Sequence, residues 1–183
     1  HRISPYRSGL YCLILELCGD SVQDMLDSEG SLSPRIASRI IRHTLRGLVS
    51  AHGAKIVHRD IKPANLVLAD ESMLLIKIID FGIAAATERG SMRSTFVTGT
   101  AGLAKQIGTP HFMSPEAFSK SAVDHRTDIW SVGVTFYYLL TGKLPFDKPS
   151  EMAADGEDGG ELSEMEVYHN VRTVDPFETG GEE

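Results

Sequence analysis

Two short polar loops, each attached to an apolar run of strand length, constrain this chain more than any other feature. The first spans His58–Asn65 and is followed by the apolar run Leu66–Leu68. The second begins at Asp80, fifteen residues after Asn65, and follows the apolar run Leu74–Ile79. Between them the loops carry two aspartates, a lysine and an asparagine. Carboxylate and carboxamide oxygens bind hard divalent cations and an ammonium group neutralises phosphate, so this set predicts phosphoryl-transfer chemistry.

Hydrophobic spacing predicts four helices in the rest of the chain. A serine-proline pair at 33–34 is typical of a helix start, and apolar residues then recur every three or four positions until Gly53. A nearly all-apolar run predicts a second long helix, buried at the centre of the domain. The predicted helices lie at 33–53, at 128–140 with Gly142 as the cap, and, more briefly, at 20–27 and around 162–174.

Four apolar runs predict strands. Leu10–Leu17 is continuously apolar apart from one carboxylate, which predicts a strand buried on both faces. Ile56-Val57 predicts a very short strand, and Leu66–Leu68 and Leu74–Ile79 predict two more on either side of a turn. The stretch 82–107 is rich in small and hydroxyl residues without firm periodicity, which predicts a long loop.

The charge of the chain is unevenly distributed, and this limits its partners. The net charge is −7, but residues 151–183 hold 11 acids and one arginine, so this acidic segment carries −10 and the rest of the chain +3. Such a segment argues against nucleic-acid binding, and a mildly basic body suits phosphate-bearing ligands. The longest apolar run falls short of the ~20 residues of a membrane span, which argues against a membrane partner. With two cysteines and no visible signal sequence, we expect an intracellular, cytoplasmic protein.

Four motifs, in order along the chain, resemble those of the eukaryotic protein kinase family. They are His-Arg-Asp at 58–60, Asp-Phe-Gly at 80–82, Ser-Pro-Glu at 114–116 where the family usually has Ala-Pro-Glu, and Asp-x-Trp-Ser-x-Gly at 128–133. Lys62 and the Gly-Thr-Pro at 108–110 are similar to the serine/threonine branch rather than the tyrosine branch. The resemblance covers Leu10 to Phe177, and its specificity comes from the ordered set.

The resemblance implies an α+β fold of the protein-kinase type. This is a mostly helical C-terminal lobe with a hinge strand and short β-hairpins around the catalytic loop, and with the N-terminal lobe largely absent. It implies one partial kinase domain over residues 1–183. Its expected parts are the last strand of the N-terminal lobe and the hinge at 10–19, the core of the C-terminal lobe at 20–147, an acidic, glycine-containing insert at 148–161, and a further short helix and tail at 162–183.

The resemblance also implies roles for polar residues of the two loops. Asp60 would accept the proton of the substrate hydroxyl or orient that hydroxyl, and Lys62 would neutralise charge on the transferring phosphoryl group. Asn65 and Asp80 would hold Mg²⁺. Thr109 would hydrogen-bond toward Asp60 and Lys62 and shape the acceptor site.

Residues before and between the loops would bind the nucleotide. The resemblance makes Leu15 the residue at the back of the ATP pocket, and the backbone of the hinge, Glu16 to Cys18, would meet adenine. Val67 would form the pocket floor. Plain core packing would explain the apolar members of this set equally well, because a pocket floor and a core position look alike in sequence.

Further residues would support or regulate the chemistry. His58 and Phe81 would stack inside the lobe, and Asp128 would anchor the backbone of the catalytic loop. By the same resemblance, Arg59 implies control by a phosphate on the loop after Asp-Phe-Gly, unless that loop is merely solvated. The position that most often takes this phosphate is Lys105 here, so either Lys105 supplies a fixed positive charge or the phosphate lies farther back. The candidates are Thr95, Thr98 and Thr100.

The predicted function is transfer of a phosphoryl group from ATP to serine or threonine hydroxyls of protein substrates by a longer parent protein. Nothing before Leu10 supplies the glycine-rich loop, the strand lysine or its glutamate partner, so we expect this chain alone to bind ATP poorly and to be inactive. One alternative is a pseudokinase or scaffold that binds partners through the same fold. A small-molecule kinase is the third hypothesis, and the segment 108–116 argues against it. The oligomeric state stays open.

Overall fold

The computed structural model describes residues 2–5, 11–70, 75–81, 110–119, 124–147 and 162–174. Two long helices form the centre of these ranges, with three shorter helices and two antiparallel pairs of strands around them. In chain order the elements are β1 (Arg2–Pro5), β2 (Tyr11–Ile14), α1 (Val22–Glu29), α2 (Pro34–Gly53), β3 (Leu66–Asp70), β4 (Leu75–Ile78), α3 (Pro115–Phe118), α4 (Arg126–Thr141) and α5 (Glu164–Thr173). Single 3₁₀ turns lie at Pro63–Asn65 and Pro110–Phe112.

Helix α2 begins and ends where the sequence predicts. The Ser33 hydroxyl caps it by accepting a hydrogen bond from the amide of Ile36 at 3.4 Å, and Pro34 takes the first helical position. One face of the helix is buried, and Ile40 and Leu48 are among the largest fully buried side chains of the described residues. The predicted helix at 33–53 is therefore confirmed.

Helix α4 packs against α2 in the main core, which confirms the predicted central helix. Gly142 ends it with φ +68°, and a Cβ at this position would clash with the carbonyl oxygen of Gly30. The amide of Leu32 donates to the carbonyl of Leu139 at 2.7 Å. The end of α4 therefore lies against the connection between α1 and α2, and the approach at position 142 is so close that only glycine fits there. The helix is not buried all round, because the apolar side chain of Ile129 is 47% exposed.

The two predicted short helices are present and share one kind of start. Ser21 caps α1 and Ser163 caps α5, and in each case an acid three residues later, Asp24 or Glu166, reaches back to the serine amide. Hydrogen bonds from the serine hydroxyl and amide lower the pKa of both carboxyls from their ordinary value. Sequence patterns place these starts within about two residues, the usual uncertainty of a helix end.

A second apolar cluster lies between α4, α5 and the 3₁₀ turn that precedes α3. Its buried members are Phe112, Val134, Phe146, Val167 and Val171. The side chain of Asn170, which is buried, donates to the carbonyl oxygen of Phe146 at 3.0 Å. This bond ties α5 to the turn that follows α4.

Strands β3 and β4 form the predicted hairpin, in which β4 packs on α2 and β3 packs on α1. Val67 lies opposite Lys77 in the antiparallel register, and Leu66, Leu68 and Ile76 join the main core. The hairpin therefore carries both polar loops to one end, since the loop at 58–65 enters β3 and β4 leads into Asp80.

The prediction of a strand at 10–17 buried on both faces is wrong in its length and its burial. The strand covers only Tyr11–Ile14, and it pairs antiparallel with β1, a strand that the sequence patterns missed. Ile14, Leu15 and Leu17 are 64%, 58% and 96% exposed. An apolar run becomes buried only where a second layer covers it, and in the described ranges these side chains remain open to solvent.

The predicted strand at 56–57 is also wrong. The amide of Ile56 donates to the carbonyl of Ala51 at 2.9 Å, and that of Lys55 donates to the carbonyl of His52 at 2.9 Å. Lys55 has φ +61°, which turns the chain sharply. These amides complete the end of α2, so the segment is a helix terminus rather than a strand.

Several predictions concern parts of the chain outside the described residues. These are the loop at 82–107, the insert at 148–161, Thr109, Lys105, and the phosphate-site candidates Thr95, Thr98 and Thr100. Across the described ranges, no helix combines the length and the apolar character that a membrane span requires.

Candidate active site

One buried carboxylate holds the first polar loop, which we call the Asp60 loop (residues 58–65). Asp128 lies in the first turn of α4 with no exposed surface. Its Oδ1 accepts from the amide of Arg59 at 2.7 Å, and its Oδ2 accepts from the amide of His58 at 2.9 Å. Its place in the first turn of α4 favours this negative charge, because the helix dipole is positive at that end. The predicted anchoring by Asp128 is therefore confirmed.

Within the Asp60 loop, Asp128 holds the backbone of Arg59 in a conformation that is rare for any residue other than glycine. Arg59 has φ +69°, in the left-handed region that side chains with a Cβ seldom adopt. The bond from its amide to Asp128 compensates for this strain. The Nε atom of Arg59 is buried and has no hydrogen-bond partner within the described part of the chain.

His58 links the Asp60 loop to the segment that carries Asp80. Its Nδ1 accepts from the amide of Asp60 at 3.2 Å, and its Nε2 lies 2.9 Å from the carbonyl oxygen of Ile79. Because Nδ1 is an acceptor, the proton of the neutral ring lies on Nε2, which donates to Ile79. The ring also meets Phe81 edge-on with centroids 4.7 Å apart. The predicted contact between His58 and Phe81 is thus confirmed, and the ring fixes the two polar segments relative to each other.

The Asp60 side chain is held between two groups of its own loop. It is 8% exposed, and its Oδ2 lies 2.9 Å from Lys62 Nζ and 3.0 Å from Asn65 Nδ2. The same amide nitrogen of Asn65 donates to the backbone carbonyl of Asp60 at 2.7 Å. Ile61, the residue between Asp60 and Lys62 in sequence, is fully buried in the main core and fastens the loop to it. The structure therefore brings the predicted Asp60, Lys62 and Asn65 into one hydrogen-bonded group.

Asp80 lies beside this group, at the point where β4 ends. The amide of Ile79 donates to the backbone carbonyl of Asn65 at 3.0 Å, so the two loops run next to each other. Asp80 has φ +62° and is exposed. Positive φ in a non-glycine residue costs of order 1 kcal/mol or more, and such strain is concentrated at functional sites.

The donor set at this end fits a hard divalent cation. The amide nitrogen of Asn65 is committed to Asp60, so its oxygen is the atom left to bind a metal, and Asp80 adds a carboxylate. Within the described ranges, no three His, Cys, Asp or Glu side chains lie together in a group that could hold a metal ion. Magnesium commonly takes only one or two protein carboxylates and completes its shell with water and phosphate oxygens.

Of the predicted nucleotide-binding residues, Val67 lies in β3, and the segment that contains the others is bonded to that strand at its end. We call residues 15–20 the hinge segment. The amide of Gly19 donates to the carbonyl of Leu68 at 2.7 Å, and the amide of Leu68 donates to the carbonyl of Asp20 at 2.9 Å. Val67 is buried and bridges to Ser21, next to the end of the hinge segment. Cys18, a free thiol, is half-buried, whereas Leu15 is exposed and nothing described covers it.

An ion pair also fastens the hinge segment to the strand hairpin. Lys77 Nζ lies 2.6 Å from one carboxylate oxygen of Glu16, and the bond to Glu16 raises the pKa of Lys77. The Lys77 side chain is 41% exposed and the Glu16 side chain 64%. A polar residue in an apolar strand gives no sign of its partner, so Lys77 was missed by sequence reasoning.

His52 was also missed, although it touches the anchor of the Asp60 loop. Its Nε2 lies 2.7 Å from Asp128 Oδ2. In sequence His52 is one histidine near the end of a helix, where its usual role is to interact with free carbonyl groups. No sequence signal pointed to Asp128, which is 76 positions away.

Comparison with known proteins agrees with this geometry. The family model described as the protein kinase domain matches residues 5–178, so the chain belongs to the protein kinase family. It is similar to the serine/threonine-protein kinase PknL of Mycobacterium tuberculosis, with 36% identity over 142 residues, which are 77% of this chain and 33% of that protein. It is also similar to mitogen-activated protein kinase kinase 1 of Arabidopsis thaliana, with 37% identity over 149 residues, 80% of this chain and 39% of that protein.

A third relative shows how much of these proteins lies outside the match. The probable serine/threonine-protein kinase pknA2 of Bifidobacterium longum is 35% identical over 141 residues, which are 76% of this chain and 17% of that protein. The chain thus spans 17% to 39% of the length of these three relatives. Most of the residues of these relatives therefore have no counterpart in the matched part of this chain.

Proposed function

We propose that the protein containing this chain transfers a phosphoryl group from ATP to serine or threonine hydroxyls of protein substrates. The observation that carries the proposal is the buried Asp60 carboxylate, 2.9 Å from Lys62 Nζ and 3.0 Å from the Asn65 amide. A base, a cation and a metal-binding oxygen stand within one loop. These are the groups that phosphoryl transfer to a hydroxyl needs.

Asp60 is proposed to receive the substrate hydroxyl. An incoming O–H group would donate to the carboxylate, which orients the hydroxyl oxygen toward the phosphorus and takes up its proton. The anchoring of its neighbours by Asp128 and His58 supports this role, because a base that is already in position loses little freedom when the substrate arrives.

Lys62 is proposed to stabilise charge on the group in transfer. Its side chain is 25% exposed, so it is paired with Asp60 and still reaches solvent at the mouth of the site. An ammonium group held there offsets the negative charge on the phosphoryl oxygens. Thr109 is proposed to shape the acceptor site next to both residues.

Asn65 and Asp80 are the proposed ligands of a divalent cation, for which Mg²⁺ is the expected ion. When bound, the ion would neutralise charge on the phosphate oxygens of ATP. The proposal is supported by the free oxygen of the Asn65 amide and by the exposed carboxylate of Asp80 beside it.

The hinge segment is proposed to receive the adenine ring. The backbone of Glu16 to Cys18 would pair with the base, with Val67 beneath it and Leu15 behind it. The bonds between the hinge segment and β3 support this arrangement. Since Leu15 and Leu17 are exposed in the described part of the chain, we propose that this chain alone binds ATP weakly and is inactive, and that the longer protein is the enzyme.

The test is phosphate transfer from radiolabelled ATP by the longer protein. Asp60→Asn keeps the shape of the side chain and removes its basicity, so the rate should fall about 10²–10⁴-fold. Asp27→Asn, the same change on the exposed surface of α1, is the matched control and should leave the rate unchanged. Equal rates in wild type and Asp60→Asn would contradict the role of Asp60, and no transfer by a folded wild-type protein would favour a scaffold.

A further inference from the structure

We propose that a buried pair of hydroxyl groups, on Ser114 and Thr127, positions the segment that receives the protein substrate. This segment, residues 110–114, follows Thr109, which is proposed to shape the acceptor site, and we call it the acceptor segment. Ser114 Oγ lies 2.7 Å from Thr127 Oγ1, and the two residues are 0% and 4% exposed. The proposal rests on the proposed phosphoryl transfer for its kinetic readout, whereas the bond itself can be tested without catalysis.

The Ser114 hydroxyl is not explained by the family pattern or by helix capping. Alanine is the usual residue of protein kinases at this position, so the fold does not require a hydroxyl there. Ser114 is also the N-cap of α3, where a serine side chain ordinarily accepts from an amide of its own helix. It makes no such bond, and its oxygen meets Thr127 of α4 instead. The hydroxyl therefore connects two elements rather than ending one.

The pair joins the acceptor segment to the turn of α4 that also holds the Asp60 loop. Thr127 directly precedes Asp128, whose carboxylate accepts from two amides of that loop. One turn farther along α4, Ser131 Oγ donates to the carbonyl of Phe112 at 2.7 Å. The acceptor segment and the proposed base thus share one support. A protein substrate held by this segment would present its hydroxyl at a fixed place relative to the base.

Loss of either hydroxyl leaves the other one buried without its partner. A buried polar group that lacks a hydrogen bond is unfavourable, so the remaining side chain would turn toward another acceptor or toward water, and the acceptor segment would shift with it. A neutral hydrogen bond has the size to change a binding constant about three- to tenfold. The hinge segment is bonded to β3 rather than to this pair, so binding of ATP should not change.

Four variants of the longer protein test the pair. Ser114→Ala introduces the usual residue of the family and should therefore fold, and Thr127→Val keeps the shape of the side chain while it removes the hydroxyl. The double variant carries both changes, and Thr127→Ser retains the hydroxyl. Thr173→Val is the matched control, because it removes an exposed hydroxyl that donates to the carbonyl of His169 within α5.

The kinetic expectation is a higher KM for the protein substrate, measured with dephosphorylated casein and labelled ATP. Ser114→Ala and Thr127→Val should each raise this KM about three- to tenfold, with the KM for ATP within about twofold of wild type. The double variant should show the factor of one single variant rather than the product of two, because each change breaks the same bond. Thr127→Ser and Thr173→Val should match wild type.

The opposite kinetic results would overturn the proposal. An unchanged KM for casein in both single variants would show that the pair does not position the acceptor segment, even if kcat fell with the folded fraction. Factors that multiply in the double variant would show that the two hydroxyls act independently. An equal loss in Thr127→Ser and Thr127→Val would make the hydroxyl irrelevant.

Hydrogen exchange gives a readout that needs no catalysis. The amides of Met113 and Ala117 donate to backbone carbonyls of the acceptor segment, both at 3.0 Å. A peptide covering 110–118 should exchange faster in Ser114→Ala and Thr127→Val, and at the wild-type rate in Thr127→Ser. Unchanged exchange in both single variants would overturn the proposal and leave the proposed function intact. If the wild-type protein transfers no phosphate, the proposed function fails, and exchange still decides the role of the pair.

Discussion

The Asp60 loop and the hinge segment flank the same hairpin, yet they are built in opposite ways. The loop rests on buried groups: Asp128 is fully buried and Asp60 is 8% exposed, and loop amides donate to the Asp128 carboxylate and to the His58 ring. The hinge segment has exposed apolar side chains, with Leu17 at 96%, and an ion pair on the surface. Both would contact one nucleotide in the proposed function.

The difference shows which half of the proposed site this chain builds by itself. The phosphate end is assembled from the two central helices and is held by hydrogen bonds before any ligand arrives. The adenine end is attached to β3 through its backbone, and its apolar side chains lack a cover within the described ranges. Changes at the loop should therefore be costly to stability and activity, and changes at the hinge segment should be mild.

The largest effect on stability should come from Asp128→Ala. The change leaves the amides of His58 and Arg59 buried without an acceptor, at about 1–3 kcal/mol for each, so the free energy of unfolding should fall by about 3 kcal/mol or more. Urea unfolding measures it. Asp147→Ala removes a half-exposed acid and should change little. A loss below about 1 kcal/mol in Asp128→Ala would remove the contrast between the two regions.

Much of this contrast could be predicted from the sequence, and the rest could not for physical reasons. The residues of the Asp60 loop follow one another within eight positions, so their proximity follows from the chain itself. The long helices could be predicted because caps, apolar spacing and Gly142 agree locally. Burial of the run at 10–17 could not, because it depends on what lies against the strand.

Contacts between residues that lie far apart in sequence were the other feature that could not be predicted. His52 and Lys77 acquire partners far away in sequence, Asp128 and Glu16, and no local pattern encodes such a pair. The anchoring by Asp128 was predicted only because of a family resemblance. The strand β1 was missed because its sequence, Arg-Ile-Ser-Pro, contains a proline and only one apolar residue that favours strands.

The next effect in size should come from Asn65→Ala. The variant removes the amide that joins the backbone and side chain of Asp60, two bonds at 2.7 and 3.0 Å, and should lower the free energy of unfolding by about 2 kcal/mol. Thermal unfolding measures the change. Ala64→Gly, at the exposed neighbouring position, controls for general loosening of the turn. If both variants lose the same stability, the Asn65 bonds do not hold the loop.

A smaller effect is expected from Lys77→Met in the ion pair with Glu16. Because that pair raises the pKa of Lys77, its stabilisation is fully present below the ordinary lysine pKa of about 10.5 and is lost as the pH rises through the folded value. Unfolding at pH 7 should show a slight loss that salt reduces. Lys143→Met, at an exposed lysine after α4, is the control. A large loss in the free energy of unfolding that salt does not reduce would contradict the placement of this ion pair at the surface.

The smallest effect is expected from Leu17→Ser. The side chain is 96% exposed, so its replacement should change the free energy of unfolding by less than about 0.5 kcal/mol. Leu48→Ala, on the buried face of α2, should cost about 2–5 kcal/mol and sets the scale. Equal losses in the two variants would mean that the hinge segment is buried in solution.

The contrast between the two ends is tested most directly by the melting temperature of this 183-residue chain with and without Mg²⁺ and ATP. A ligand at a hundred times its Kd stabilises a protein by about 2.7 kcal/mol, which corresponds to a rise of about 5–10 °C at this size. We predict a rise below about 1 °C at millimolar ATP, because the adenine end is not built by the described residues. A rise of about 5 °C or more, abolished by Asp80→Asn, would contradict that account.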